Sequence, residues 1–354
     1  MISVIIPTYN RADLLPRAIL SIKNQTFKDL ELIVVDDCST DNTSDIVNNL
    51  LGDNDTYIQL NKNSGSSAKP RNEALKICHG EYITLLDSDD YLAPHCLEIV
   101  YRKMIDSKSD IGIIYPGQCV VDLKGNIKET RHRHKSGYLF EESLGDCICG
   151  VTGALIKAEC FKKVGLFDEC EVSPHHEMFI RISKEYKFDY VDEYLAYYLR
   201  DNHKNFSAQK NIAEFILNIL EKHKDSYDLY PSKRIGLYRN IAILYRRDNN
   251  FKKFIKYALM SNPDHNHVNY RWMALLIFHP KLPETMSYLY YIIGKYFPVR
   301  YKIKYILVRT IKIIQNKDSF EDKNIKKAEK IAILFSSIFT IILILVIIML
   351  IKII

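Results

Sequence analysis

Short apolar runs alternate with amphipathic segments over roughly the first hundred residues of the chain. Residues 2–7, 32–35 and 82–86 are apolar and are bounded by polar or turn-forming residues, a pattern typical of buried parallel strands. Apolar side chains recur at helical spacing in residues 14–22 and again in residues 46–50, which predicts two helices. This strand–helix repetition predicts an α/β fold with a doubly wound, Rossmann-like sheet. Because ligands of such sheets bind where the strands end, the polar residues after each run are the first candidates for function.

The pattern changes after about residue 110. Residues 111–208 are irregular, with glycine-bounded turns predicted at 150–153 and 165–168 and a helix predicted over 177–186. From about residue 209 the apolar spacing favours helices. We therefore expect a second, less regular half of the α/β domain, followed by an α-helical region.

A long apolar stretch lies at the C-terminal end of the sequence. Residues 331–351 carry no charge, and a helix of that length spans about 30 Å, the thickness of a bilayer core. A buried core helix is the alternative, which we disfavour because three residues follow the stretch. Four lysines lie within the eight residues before the stretch and one lysine follows it, so the positive-inside rule predicts a single C-terminal span with the preceding residues on the cytoplasmic side.

Composition and charge are those of an ordinary globular protein with one basic segment. Of the 354 residues, 47% are apolar and 26% are charged, as in ordinary globular proteins. The formal net charge is +6, and residues 295–317 contain seven basic side chains and no acidic one. This segment can lie on an anionic membrane surface, or it can pack on the helical region as an ordinary amphipathic helix. We expect no nucleic-acid partner. The eight cysteines lack the spacing of a zinc site, and we expect them to be reduced, packed thiols. The sequence begins on a strand-like run without the features of a secretory signal.

Three segments that end in polar residues carry a family resemblance. They read VIIPTYNR from Val4, ELIVVDDCSTD from Glu31 and GEYITLLDSDD from Gly80. In this order and spacing they closely resemble family 2 glycosyltransferases with the GT-A fold, over roughly the first 210 residues. The resemblance implies a GT-A nucleotide-sugar-binding domain that transfers a sugar with inversion at the anomeric carbon.

The resemblance also suggests how the chain is divided. We expect residues 1–110 to form the nucleotide-sugar-binding half of the GT-A domain and residues 111–208 the acceptor-binding half. Residues 209–330 are then a helical region with the basic juxtamembrane segment, and residues 331–351 are the transmembrane helix.

The first two segments predict the nucleotide site. Pro7, Thr8 and Tyr9 end the first strand, where an aromatic face and backbone groups can meet a nucleobase. Asp37 ends the second strand, where its carboxylate can accept a hydrogen bond from a pyrimidine N–H, and the resemblance assigns it to uracil recognition. Capping of the next helix is the alternative for this carboxylate and for its neighbour Asp36.

The third segment predicts a metal site. A nucleotide diphosphate is an anionic leaving group that a divalent cation stabilises, and Mg²⁺ or Mn²⁺ prefers carboxylate and phosphate oxygens. By resemblance, Asp89 contacts the metal and Asp87 lies near the ribose. Arg71 matches a further family element and is a candidate phosphate ligand, the alternative being an ordinary surface arginine at a helix start.

The chain departs from the family at the general base. Inverting members usually have a Glu-Asp pair before a helix, and here those positions hold Pro174 and His175. His175 can act as a base near neutral pH, and the adjacent Glu177 is the second candidate. A third reading is that activity has been lost.

Three functions are compatible with these residues. The first is transfer of a sugar from a nucleotide-diphosphate sugar, UDP-sugar above all, to a glycan or lipid-linked acceptor in the building of envelope polysaccharide. The second is transfer to a polyprenyl phosphate, an anionic acceptor that needs less base catalysis. The third is an inactive GT-A domain that serves as a membrane-tethered scaffold.

Overall fold

The structure is a computed structural model that describes residues 1–169, 174–200, 212–248 and 250–261. The predicted span over 331–351 and the basic segment 295–317 lie outside these residues. Within the described ranges, no helix combines the length and the apolar character that crossing a membrane requires.

The three predicted strands are confirmed and form the parallel part of one sheet. They are β1 (Ile2–Thr8), β2 (Leu30–Asp36) and β4 (Tyr82–Leu85), and β3 (Thr56–Gln59) extends this part at its edge. The order is β3-β2-β1-β4, and every neighbouring pair in it is parallel. Every residue of β1 is buried, as expected for a strand with helices on both faces of its sheet.

The sheet continues as a mixed sheet beyond β4, which the expectation of a purely doubly wound domain did not include. The further strands are β5 (Tyr91–Leu92), β6 (Ile111–Val121), β7 (Ile127–Arg131), β8 (Leu155–Lys157) and β9 (Lys187–Leu199). Antiparallel β8 joins β4 to β6, and β9 runs parallel to β6. The α/β architecture is therefore confirmed, and residues after 110 belong to the same sheet as those before.

Helices cover both faces of the sheet and continue after it. In chain order they are α1 (Leu15–Lys23), α2 (Thr43–Leu50), α3 (Ala68–Ile77), α4 (Cys96–Ile105), α5 (Phe140–Gly145), α6 (Ala158–Val164), α7 (Pro174–Glu185), α8 (Ile212–Lys222), α9 (Lys224–Leu229), α10 (Pro231–Arg247) and α11 (Phe251–Met260). The predicted helices over 14–22, 46–50 and 177–186 are thus present, and the described part of the 209–292 region is helical.

Two apolar cores flank the sheet. Alternate residues of β1 divide between them, since Val4 and Ile6 enter the core formed with α1 and α4, whereas Ile5 enters the core formed with α3 and α7. The chain forms two compact units, Met1–Leu244 and a second that begins at Tyr245. In the described part of the second unit, Tyr245 stacks on Tyr257 with ring centroids 5.7 Å apart.

The predicted turns and the reduced cysteines are also present. Gly153 and Gly165 adopt φ of 78° and 86°, which glycine tolerates without strain. The seven cysteines among the described residues are all free thiols.

Candidate active site

The ends of three parallel strands bring the predicted nucleotide residues to one edge of the sheet. Thr8 at the end of β1 lies opposite Asp36 at the end of β2, and Ile5 lies opposite Leu85 of β4. The backbone N–H of Asp37 donates to the carbonyl oxygen of Thr8 at 2.8 Å. The parallel register therefore gathers side chains that are up to about 80 residues apart in sequence.

Two left-handed residues shape the loops that leave β1 and β2. Asn10 has φ of 48° and Cys38 has φ of 66°, a conformation in which Asn is well tolerated. The side-chain oxygen of Asn10 accepts a hydrogen bond from the backbone N–H of Thr40 at 2.8 Å, and the backbone N–H of Asn10 donates to the hydroxyl of Ser39 at 2.8 Å. These bonds tie the loops together and leave the Tyr9 ring 44% exposed, where it can stack on a planar ligand.

Asp37 and Asp36 have different environments, and neither caps α2. Both oxygens of the buried Asp37 carboxylate lie 3.0 Å from the backbone N–H of Ser64, and the Ser64 hydroxyl donates to it at 2.9 Å. Burial raises the pKa of Asp37 above its usual value, despite the opposing hydrogen bonds from Ser64. Asp36 accepts hydrogen bonds from the Ser39 hydroxyl at 2.6 Å and from the Tyr57 hydroxyl at 3.0 Å. Asp36 is therefore structural, whereas Asp37 stands at the strand edge with capacity for a further donor.

Arg71 is a buried guanidinium that lacks a full set of partners. Its side chain is 2% exposed, and Nη2 donates to Oδ1 of Asp87 at 2.5 Å. Among the described residues, no acceptor lies within hydrogen-bond reach of its Nε and Nη1, and the hydroxyl of Thr8 is likewise buried without a partner. Buried polar groups are nearly always paired, so these atoms point to a polar ligand. The alternative of an ordinary surface arginine is wrong, because the Arg71 side chain is 2% exposed and paired with Asp87.

Asp89 lies among charges of both signs. Burial and the neighbouring carboxylate of Asp87 raise the pKa of Asp89 to about 6, against the opposing charges of Arg11 and Arg17. Nη2 of Arg11 lies 3.5 Å from Oδ2 of Asp89, and Nη2 of Arg17 donates to its carbonyl oxygen at 2.9 Å. A carboxylate that is costly to ionise where it lies fits a site for a cation.

Three residues near this site were missing from the sequence-based prediction. Two of them are Arg11, which follows β1, and Arg17, which lies in the first turn of α1. These positions were their one signal in the sequence. The third is Asp90, which is 1% exposed and accepts hydrogen bonds from the Thr152 hydroxyl at 2.5 Å and the Leu199 N–H at 2.9 Å. Asp90 therefore joins the aspartate-rich loop to the second half of the sheet.

His175 lies in the first turn of α7, on the same site. Burial and the positive charge of Arg71 lower the pKa of His175 to about 4, while the charge of Asp87 acts in the opposite direction. With this pKa, the imidazole is neutral at physiological pH. The residues just before this turn, 170–173, lie outside the described chain, as do residues 201–211.

Glu177 lies in the same turn as His175 but is bound to cations. Its carboxylate is fully buried and lies 2.8 Å from Nη2 of Arg181, 2.9 Å from Nζ of Lys222 and 3.2 Å from Nε2 of His223. Burial alone would raise the pKa of Glu177, but hydrogen bonds from His223, Arg181 and Lys222 lower it to about 2. Glu177 therefore remains an ion-paired anion over the whole physiological range.

A separate group of potential metal ligands is formed by His132, His134 and Asp192, whose ligand atoms all lie within 4.8 Å of one another. His132 accepts the N–H of His134 on Nδ1 at 3.0 Å and contacts the carbonyl oxygen of Val191 through Nε2 at 2.7 Å. The two imidazole rings stack with centroids 3.8 Å apart. Ring lone pairs of stacked imidazoles do not converge on one ion, so we assign no metal to this group.

Two relatives match most of their own length. The chain is 29% identical over 237 residues to the GalNAc(5)-diNAcBac-PP-undecaprenol β-1,3-glucosyltransferase of Campylobacter jejuni, covering 63% of this chain and 73% of that protein. It is 30% identical over 220 residues to an uncharacterized glycosyltransferase of Methanocaldococcus jannaschii, covering 59% of this chain and 74% of that protein. Other relatives are matched over a smaller share of their length, and the chain spans 22% of a chondroitin synthase of Pasteurella multocida to which it is 29% identical.

Solved structures share the fold at low sequence identity. The Staphylococcus aureus TarS fragment 1–349 in complex with UDP-GlcNAc has a TM-score of 0.52 at 19% identity, covering 74% of this chain and 91% of that chain. The mannosyltransferase PcManGT of Pyrobaculum calidifontis, in complex with GDP-Man and Mn²⁺, has a TM-score of 0.54 at 17% identity, covering 82% of this chain and 84% of that chain.

The family model named Glycosyl transferase family 2 matches residues 3–165. This match covers the strands and the loops that carry the predicted nucleotide and metal residues. Together with the relatives, it confirms the resemblance carried by the three strand-end segments, and the chain belongs to glycosyl transferase family 2, a family of enzymes.

Proposed function

We propose that this chain transfers a sugar from a UDP-sugar to a glycan or lipid-linked acceptor, with inversion and with a divalent cation. The observation that carries the proposal is the buried Arg71 beside Asp87, with two nitrogens that lack acceptors among the described residues. A diphosphate supplies anionic oxygens to such a group. The proposal places the phosphates of the donor next to Arg71.

The nucleotide residues support a uridine donor. The exposed Tyr9 ring offers a stacking surface, and the Asp37 carboxylate lies at the adjoining strand end with capacity to accept a pyrimidine N–H. Pro7 and Thr8 hold the backbone of this strand end, and the unpartnered hydroxyl of Thr8 adds a further polar group. The TarS complex contains UDP-GlcNAc, which agrees with this choice among nucleotides.

The aspartates fit a divalent cation. Asp87 and Asp89 present hard carboxylate oxygens, and burial together with the neighbouring charge of Asp87 raises the pKa of Asp89, a cost that a bound cation would relieve. Asp89 would hold Mn²⁺ or Mg²⁺, with Asp87 beside the ribose. The bound ion would neutralise charge on the leaving diphosphate, and the PcManGT complex contains Mn²⁺.

His175 acts as the general base in this proposal. The acceptor oxygen attacks the anomeric carbon, the bond from that carbon to the diphosphate oxygen breaks, and the acceptor proton moves to the imidazole. With a pKa of about 4, the imidazole matches in basicity the aspartate that occupies its position in relatives of the resembled type. The fully ion-paired Glu177 is a poor candidate for the same task.

The acceptor class is supported by one relative and by the sequence. The Campylobacter relative is named for an undecaprenol-linked acceptor, and such lipids lie in membranes. A C-terminal span over 331–351, with the domain on the cytoplasmic side, would hold the active site next to a lipid-linked acceptor. This part of the proposal rests on the sequence, because the span lies outside the described residues.

The test is UDP release from a panel of UDP-sugars, with Mn²⁺ and an undecaprenyl-linked glycan as acceptor. Arg71→Met should lower kcat/KM for the donor roughly 10²–10⁴-fold, because each lost hydrogen bond to a charged group costs about 1.5–3 kcal/mol. Arg102→Met is the matched control, since Arg102 is 71% exposed in a surface pair with Glu98. Wild-type kcat/KM in Arg71→Met would refute the proposed donor site, and metal-independent binding without turnover would favour the scaffold alternative.

A further inference from the structure

The helices that follow the GT-A sheet reach back to the turn that carries His175. The contact is made by Lys222, the last residue of α8, and by His223, which links α8 to α9. Both lie within hydrogen-bond reach of Oε1 of Glu177, at 2.9 Å and 3.2 Å. Glu177 lies two residues after His175 in α7, so this contact acts on the turn that holds the proposed base.

The cluster is built as a buried, charge-balanced junction. Glu177 is fully buried and His223 is 7% exposed. Lys222 also bonds Oδ2 of Asp168 at 2.7 Å, so two carboxylates face Lys222 and Arg181. A buried carboxylate that loses a basic partner is strongly destabilised. The junction is therefore sensitive to the loss of Lys222 or of His223.

The junction has further attachments on both sides. Arg181 donates from Nη2 to the carbonyl oxygen of Leu166 at 2.9 Å, which holds the turn before α7. On the other side, the Tyr227 hydroxyl of α9 donates to the carbonyl oxygen of Leu144 at 2.8 Å, and the Phe215 ring of α8 lies 6.0 Å from the His176 ring. The α8–α9 pair is thus anchored on α5 and α7.

We infer that Lys222 and His223 are positioning residues that hold His175 in its place by fixing Glu177 in the same first turn of α7. The inference rests on the proposed role of His175 as base. It assigns a task to helices beyond residue 165, where the family match ends. A small displacement of a catalytic group can cost up to about 10²-fold in rate, so the junction is a means by which the appended helices set the rate of transfer.

The test compares Lys222→Met and His223→Leu with wild type in the full chain. Each variant should lower kcat roughly 10–100-fold and leave the donor KM within about twofold, since the donor residues lie on other elements. Lys222→Arg and His223→Gln keep a donor to Glu177 and should recover most of kcat. Lys224→Met is the matched control, because Lys224 bonds Asp228 on the exposed face of α9.

A double-mutant cycle separates positioning from a general loss of structure. In a His175→Ala background, Lys222→Met should change kcat by less than about twofold, because residues that act as a unit are not additive. An equal drop in both backgrounds, or wild-type kcat in both single variants, would overturn the inference. If Lys222→Met does not fold, as judged by thermal unfolding, Lys222→Gln takes its place in the cycle.

A result against His175 as the base can be distinguished from a result against the positioning role of Lys222 and His223. Wild-type kcat in His175→Ala itself would reject the role of His175. The ring NMR signals of His175 then decide the positioning: they should shift in Lys222→Met and return in Lys222→Arg, and unchanged signals in both would overturn it.

Discussion

The low pKa of His175 leads to a pH profile that an ordinary histidine would not produce. A histidine with the usual pKa of about 6.5 is ~9% neutral at pH 5.5, whereas one with a pKa of about 4 is ~97% neutral. The base is active in its neutral form. The wild-type enzyme should therefore keep nearly all of its kcat/KM for the donor at pH 5.5 and lose it as the pH falls through about 4.

The causes of the lowered pKa of His175 suggest a second perturbation. The charge of Arg71 is the main electrostatic cause after burial, so Arg71→Met should move the acid limb of kcat/KM toward higher pH. Donor phosphates would neutralise Arg71 in a similar way. The acid limb of kcat, which reports the enzyme–substrate complex, should therefore lie above that of kcat/KM.

The assay is UDP release between pH 4 and 8, together with NMR titration of the His175 ring in the metal-free protein. Saturating Mn²⁺ is required in the kinetic arm, because protonation of Asp89 would otherwise add its own limb near pH 6. His175→Ala should lower kcat about 10²–10⁴-fold. An NMR titration of His175 near pH 6.5, or an acid limb that persists unchanged in His175→Ala, would refute the reasoning.

Three further outcomes follow from the same structure. Asp89→Asn should abolish metal-dependent UDP release and raise the Tm of the metal-free protein at pH 7, since a raised pKa means that the ionised carboxylate opposes folding there; a lower Tm would contradict this, and turnover in Mn²⁺ would remove Asp89 as a ligand. Asp90→Ala should lower the free energy of unfolding, measured in urea, by about 2–4 kcal/mol, because the buried Thr152 hydroxyl and the Leu199 N–H lose their acceptor. A change below about 0.5 kcal/mol would show that these two hydrogen bonds are dispensable. Deletion of residues 331–354 should move the protein to the soluble fraction at high salt with donor hydrolysis intact, and retention in the membrane fraction would reject the span.

Much of the fold was predictable because its first half follows local rules. Strands buried on both faces read as continuous apolar runs, so β1, β2 and β4 were visible in the sequence. The second half was not, because β6 and β9 are long strands whose pairing contains register shifts. Polar and aromatic residues interrupt β9, so it presents no regular period. The mixed part of the sheet depends on contacts between segments more than 70 residues apart.

The candidate site divides in a similar way. The motif residues Asp37, Asp87 and Asp89 were visible as polar residues directly after apolar runs. The ion pair between Arg71 and Asp87 was not visible. The two residues are 16 positions apart, and their spacing does not indicate that the Arg71 guanidinium is buried against the Asp87 carboxylate.

The proposed base shows where sequence reasoning stops. From the sequence, His175 was the first candidate because it occupies the position of the usual base, and Glu177 was the second. In the structure, Lys222 and His223 pair with Glu177 and hold its pKa low, while His175 remains neutral beside Arg71.

The sequence by itself determined the family, the three parallel strands and the chemistry available at their ends, because these follow from the apolar period and from motifs within single segments. The tertiary structure alone decided which of these groups are charged and which are engaged. Burial and the charges of distant neighbours set the pKa values of Asp89, His175 and Glu177, and both depend on contacts that form only when the chain is folded.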